Sequence, residues 1–159
     1  MVEGLRDLLL KLCEKLNEKR VDYLLIGGMA VMLHGLPRFT EDIDIMVDPG
    51  AENVRRLKEA LHELFEDEAV DEISSSDLLK YAVVRYGTPE GFSIDLMAKV
   101  GEVATFGDML RHRQWTTVEE VRIPLCDLRG LLKLKEGTLR EKDRMDTRFL
   151  RKKLKGEVR

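Results

Sequence analysis

Leu5, Leu8, Leu9, Leu12 and Leu16 recur every three or four residues with charged side chains between them. That is the period of a helix with one apolar stripe, and it predicts an amphipathic helix over 3–19. Val21 to Ile26 is a short apolar run of strand length. From Gly28 the residues Met29 to Leu33 suit a helix, which Gly35 and Leu36-Pro37 bring to a stop. Asp42 to Val47 alternates polar and apolar, as a half-buried strand does. Asp48-Pro49-Gly50 is a turn. Val54, Leu57, Leu61, Leu64 and Phe65 then mark a second amphipathic helix over 51–65.

The stretch 67–79, polar around Ser74-Ser75-Ser76-Asp77, reads as a loop. Tyr81 to Tyr86 and Phe92 to Ala98 read as two strands, and Gly87-Thr88-Pro89-Glu90-Gly91 between them predicts a hairpin. A short helix over 103–113, a strand over 121–125 and two charged helices over 126–136 and 141–155 complete the chain. Helices and strands of both periods, without an internal repeat or a Pro/Gly/Ser linker, predict one α+β domain over 1–159. Its core would occupy about 20–100 and its C-terminal helices about 126–155.

Composition narrows the class. The 159 residues are 43% hydrophobic and 36% charged, which excludes a disordered chain. The formal net charge of −3 excludes a general polycation, so any nucleic-acid contact would need a local basic patch. Cys13 and Cys126 lack metal-ligand spacing and read as reduced, partly buried thiols, an expectation of a cytoplasmic protein. Leu8-Leu9-Leu10 is interrupted at once by Lys11, so no signal peptide is expected, and no apolar run reaches membrane-spanning length.

The candidate chemistry lies in Asp42 and Asp44. At i and i+2 of a strand they project from one face, while Ile43 and Ile45 face the other. Two carboxylates side by side repel, and a cation between them resolves the conflict. Such an oxygen-rich site suits Mg²⁺ or Mn²⁺. Asp95 is a third acid, isolated between Ile94 and Leu96 in an apolar strand. It is either an edge or ion-paired residue, or the third member of the group, provided its strand pairs beside 42–47. Three carboxylates facing one point are what two-metal phosphoryl chemistry uses, with Asp95 as general base or ligand. Gly27-Gly28, between a strand and a helix, leaves backbone N–H groups able to approach a phosphate.

The combination Ile26-Gly27-Gly28, a helical spacer, Asp42-Ile43-Asp44-Ile45 and a later Asp95 resembles the polymerase-beta-like nucleotidyltransferase superfamily. Gly28-x-Ala30, His34-Gly35 and Arg38-x-Thr40-x-Asp42 resemble its small prokaryotic branch of abortive-infection toxins. So does the tail, Lys135 followed by Arg140-x-Lys142-Asp143-x-x-Asp146. The resemblance implies a mixed-sheet core with flanking helices and a C-terminal helical pair. It implies transfer of NMP from an NTP such as ATP to an acceptor hydroxyl, release of pyrophosphate, and two Mg²⁺ or Mn²⁺ ions. It assigns Asp42, Asp44 and Asp95 to metal and catalysis, and Gly27, Gly28, Arg38, Thr40, Lys135 and Asp143 to the nucleotide.

The acceptor class stays open between RNA, protein and a small hydroxylated molecule, as does assembly with a second copy or a partner protein. A rival reading is a non-catalytic, antitoxin-like nucleotide- or partner-binding protein on the same fold. His34 reads as a packing or capping residue, and Trp115 as a half-buried core residue that an Arg-rich neighbourhood would let stack on a base. Of Lys133 and Lys135, on different sides of a helix, at most one would face the site. The basic run Arg151–Lys155 reads as a solvated helix end, with contact to a polyanionic acceptor as the alternative.

Overall fold

The computed structural model describes residues 2–37, 39–101, 104–135 and 141–157, apart from the side chains of Val2, Glu3, Glu141, Lys142 and Asp143. The elements run α1 (Val2–Glu18), β1 (Tyr23–Ile26), α2 (Gly27–Leu33), β2 (Asp42–Val47), α3 (Ala51–Phe65), a 3-10 turn (Glu68–Glu72) and α4 (Ser75–Lys80). They continue with β3 (Val84–Gly87), β4 (Ser93–Met97), the two-residue strands β5 (Lys99–Val100) and β6 (Ala104–Thr105), and α5 (Phe106–Met109). A second 3-10 turn (Leu110–His112), β7 (Arg113–Val118), β8 (Val121–Cys126), α6 (Leu128–Lys135) and α7 (Glu141–Leu154) follow.

Six strands form one mixed sheet in the order β3-β4-β2-β1-β8-β7. β1 is antiparallel to β2 and parallel to β8, and β2 is parallel to β4. The outer pairs β3–β4 and β7–β8 are antiparallel hairpins. The fold class is α+β, as the sequence predicts.

The sheet is covered on both faces. The Tyr23 hydroxyl reaches the Asn17 side chain at 2.9 Å and the Cys13 carbonyl at 3.4 Å, so α1 lies over the face that carries Tyr23, Leu25, Ile43 and Ile45. The α1 stripe Leu5, Leu8, Leu9, Leu12 and Leu16 is buried, as are Val54, Leu57 and Leu61 of α3. Each such side chain contributes about 2 kcal/mol on leaving water. On the opposite face Gly130 brings α6 against β8, where an added Cβ would lie 2.6 Å from the Cys126 sulfur and 2.7 Å from the His112 Cβ.

Three expectations need correction. The stretch 67–79 is largely helical. The Asp67 side chain caps the 3-10 turn by accepting from Ala69 N–H, Ser74 caps α4 by accepting from Asp77 N–H at 3.0 Å, and Val70 and Leu78 are buried beneath. The stretch 103–113 is only partly helical, because Ala104-Thr105 first pairs with Lys99-Val100. β7 was not expected. Its hairpin turn is made by Glu119 and Glu120 at φ of 47° and 72°, a conformation usually signalled by Asn or Gly. Arg6 holds Glu119 by a salt bridge at 3.0 Å.

Candidate functional site

The register of the sheet assembles the carboxylates. Asp44 is paired with Asp95 across the parallel β2–β4 ladder, and Asp42 with Ser93. In-register residues of neighbouring strands share a face, so Asp42, Asp44 and Asp95 stand together on the side away from α1. Asp95 is only 7% exposed. The condition set by its sequence position, pairing beside 42–47, is met.

Gly27 closes this arrangement from the β1 side. Ile26 is the register partner of Asp44, and the chain turns into α2 immediately afterwards. Gly27 has φ +72°, and a Cβ there would collide with the Asp44 carboxyl, whose own Cβ and Cγ would lie 2.8 Å away. Only glycine meets both conditions. No side chain caps the start of α2.

Lys135, at the end of α6, borders the cavity of about 230 Å³ that contains Gly27, Asp44 and Asp95, with Met97, Leu131 and Leu134 among its apolar walls. Its ammonium lies 3.3 Å from the buried carboxylate of Asp146 on α7. Lys133 is exposed. Asp44 bears the electrostatic cost of the site. Burial first, then the charges of Asp95 and Asp42, push its carboxyl up to about 6, while Lys135 opposes them.

Arg85 is the residue that sequence reasoning missed. It is the β3 register partner of Asp95. Its Nε and Nη2 donate to the two Asp95 oxygens at 2.8 and 3.0 Å, and Nη2 stands 3.7 Å from Asp42. An arginine on an outer strand carries no motif, and only the hairpin register, Arg85 opposite Asp95, points to it.

The other candidates divide. Thr40 exchanges weak hydrogen bonds with the backbone of Asp42 at 3.3 and 3.4 Å, so it fixes the entry to β2. Arg38 lies outside the described residues; Asp143 falls in α7, with its side chain outside them. His34 donates from Nε2 to the Cys126 carbonyl at 2.9 Å, which ties α2 to β8. Trp115 is not a core residue. It is 45% exposed on β7, with the Arg113 and Arg122 guanidinium groups 5.4 and 4.6 Å from its ring.

Among the described residues no group of three His, Cys, Asp or Glu side chains is already drawn into a metal-ligand cluster. The donor set nevertheless fits a divalent cation. It consists of hard carboxylate oxygens from adjacent strands, with one guanidinium bonded to Asp95 and 3.7 Å from Asp42, which leaves net negative charge for a cation. No described helix is long and apolar enough to cross a membrane.

A family model described as nucleotidyl transferase AbiEii toxin, Type IV TA system, matches residues 11–113. No curated protein sequence matches the chain. Among solved structures, the chain is similar to TM1012 of Thermotoga maritima, a putative nucleotidyltransferase, at 17% identity and TM-score 0.54, covering 99% of this chain and 96% of that one. It is also similar to the lincosamide antibiotic adenylyltransferase LnuA, solved with lincomycin bound, at 20% identity and TM-score 0.57, covering 94% of each chain. At these identities the two likenesses establish the fold.

Proposed function

The chain belongs to the AbiEii nucleotidyl transferase toxin family, and from that premise we propose that it is a metal-dependent enzyme that moves NMP from an NTP to an acceptor hydroxyl. The observation that carries the reading is the grouping of Asp42, Asp44 and Asp95 on one sheet face beside the Gly27 turn. We assign the metal to these three carboxylates. When bound, Mg²⁺ or Mn²⁺ neutralises phosphate charge and favours the ionised acceptor oxygen.

The chain's own groups do the rest. The backbone of Gly27 and Gly28 receives the triphosphate, and the absence of a side chain at Gly27 keeps that turn close to Asp44, which a Cβ there would strike. Lys135, which lines the same cavity, adds a positive charge felt at Asp44. Asp95 takes the proton of the acceptor hydroxyl as its oxygen attacks the α-phosphorus. The new O–P bond replaces the bond to the bridging oxygen of the β-phosphate, and pyrophosphate leaves. Positioning and charge supply the catalysis, with no covalent enzyme intermediate. Arg38, Thr40 and Asp143 complete the proposed nucleotide contacts.

Calorimetry with each of the four NTPs and Mg²⁺, on wild type and on Asp42→Asn/Asp44→Asn, tests the reading. Metal-dependent binding that disappears in the double variant supports it and names the base. Equal, metal-independent binding by both proteins overturns it and favours the non-catalytic partner reading. Transfer of α-labelled NTP onto RNA, protein or small hydroxylated molecules then separates the acceptor classes.

A further inference from the structure

Arg85 presents an arrangement that nucleotide transfer alone does not require. Its guanidinium forms a two-point fork on Asp95 and reaches toward Asp42, so one cation already satisfies two of the three carboxylates to which the metal is assigned. Asp95 is almost wholly buried, whereas the Arg85 side chain is 61% exposed and rises from the outer strand β3. One partner is fixed and the other is free to leave. The fork takes one lone pair on each Asp95 oxygen, and its Nη2 also lies 3.7 Å from Asp42, so a divalent ion bridging the two carboxylates meets the guanidinium's positive charge in the same place and competes with it.

Resting on the metal-dependent reading above, we propose that Arg85 is a resident counter-cation that exchanges with the divalent ion. In the metal-free enzyme it holds Asp95 and Asp42 together against their repulsion. Metal entry displaces it, and its tether to β3 keeps the released guanidinium beside the site, where an anionic triphosphate is the next available partner. Arg85 is thus a positioning residue whose occupancy of Asp95 and the metal's exclude each other.

The test measures metal binding in the absence of nucleotide. Mn²⁺ is titrated into wild type, Arg85→Ala and Arg85→Lys, with Arg55→Ala on α3 as a control for the change of net charge. Exchange predicts binding about tenfold tighter in Arg85→Ala, the lower range for an exposed ion pair being offset by the buried acceptor. Arg85→Lys, which keeps the charge but loses the fork, falls between Arg85→Ala and wild type, and Arg55→Ala matches wild type. In parallel, the Nε–H resonance of Arg85, assigned by its loss in Arg85→Lys, is followed as Mg²⁺ is added. Exchange predicts that it moves to the position of a solvent-exposed arginine.

Equal or weaker Mn²⁺ binding by Arg85→Ala overturns the proposal, as does an Nε–H signal unmoved at saturating Mg²⁺. Absence of binding to every variant overturns the metal assignment itself, an outcome distinct from tight binding that is indifferent to Arg85.

Discussion

Asp44 stands directly opposite Asp95 in the parallel β2–β4 ladder, and Ile26 is its neighbour across β1. The pairing brings two acids together in a half-buried place, where both cannot ionise without cost. It makes the metal-free protein sensitive to pH in a particular direction.

Asp44 has its carboxyl pushed up to about 6 by burial and by Asp95 and Asp42. In the unfolded chain an aspartate titrates near about 3.9. A raised folded value means that its stability contribution is full below about 4 and is lost as pH rises through about 6. Urea unfolding in the presence of a chelator should show Asp44→Asn gaining on wild type between pH 4 and pH 7, by roughly 2 to 3 kcal/mol. The comparison cancels the opposite trend of Glu63, Asp67 and Asp108, whose carboxyls lie below their ordinary range. A difference that does not vary with pH would refute this account.

Gly27→Ala combines a left-handed backbone with a collision against the Asp44 carboxyl. Transferase turnover should fall by about a hundredfold or more, while stability falls by about 1 to 3 kcal/mol. Gly28→Ala lacks a positive φ and provides the comparison. Steady-state kinetics beside a thermal melt separates loss of geometry from loss of fold.

Lys135 has two roles that different variants separate. It faces the carboxylate cavity and also contacts the buried Asp146. Lys135→Met should cost about 1 to 3 kcal/mol and should raise KM for the NTP. Adding Asp146→Asn should recover much of the stability without recovering KM. Recovery of both would make Lys135 a purely structural residue.

The Glu119-Glu120 turn is an opportunity for stabilisation. Glu120 adopts φ 72°, which disfavours a side chain, whereas Glu119 is held by Arg6. Glu120→Gly should therefore raise stability by about 0.5 to 1 kcal/mol, measured as a higher melting temperature with activity unchanged. Glu119→Gly should gain less, because it also discards the ion pair.

Much of the site was legible because its chemistry follows a two-residue period. Asp42 and Asp44 share a face in any strand, and Asp95 stands out as an acid among apolar neighbours. Their meeting required only that β4 pair beside β2. Arg85 was illegible for the opposite reason, since arginine on an outer strand is ordinary and its role comes entirely from cross-strand register. β7 escaped for want of a turn marker at Glu119-Glu120. The cap at Ser74 and Asp77 was readable, but serines at 74–76 suggested a loop more strongly than one buried Leu78 suggested a helix.

The parallel β2–β4 pairing has a further consequence. No hairpin can make it, and α3, the 3-10 turn, α4 and β3 must all be in place between the two strands. A nascent chain that has just paired β1 with β2 carries Asp42 and Asp44 without Asp95. The proposed metal-binding constellation therefore exists in no local fragment. Ligation energy is gained only by the completely threaded sheet, so bound metal would slow amide exchange across β1, β2 and β4 together, not in the Asp42–Val47 segment alone.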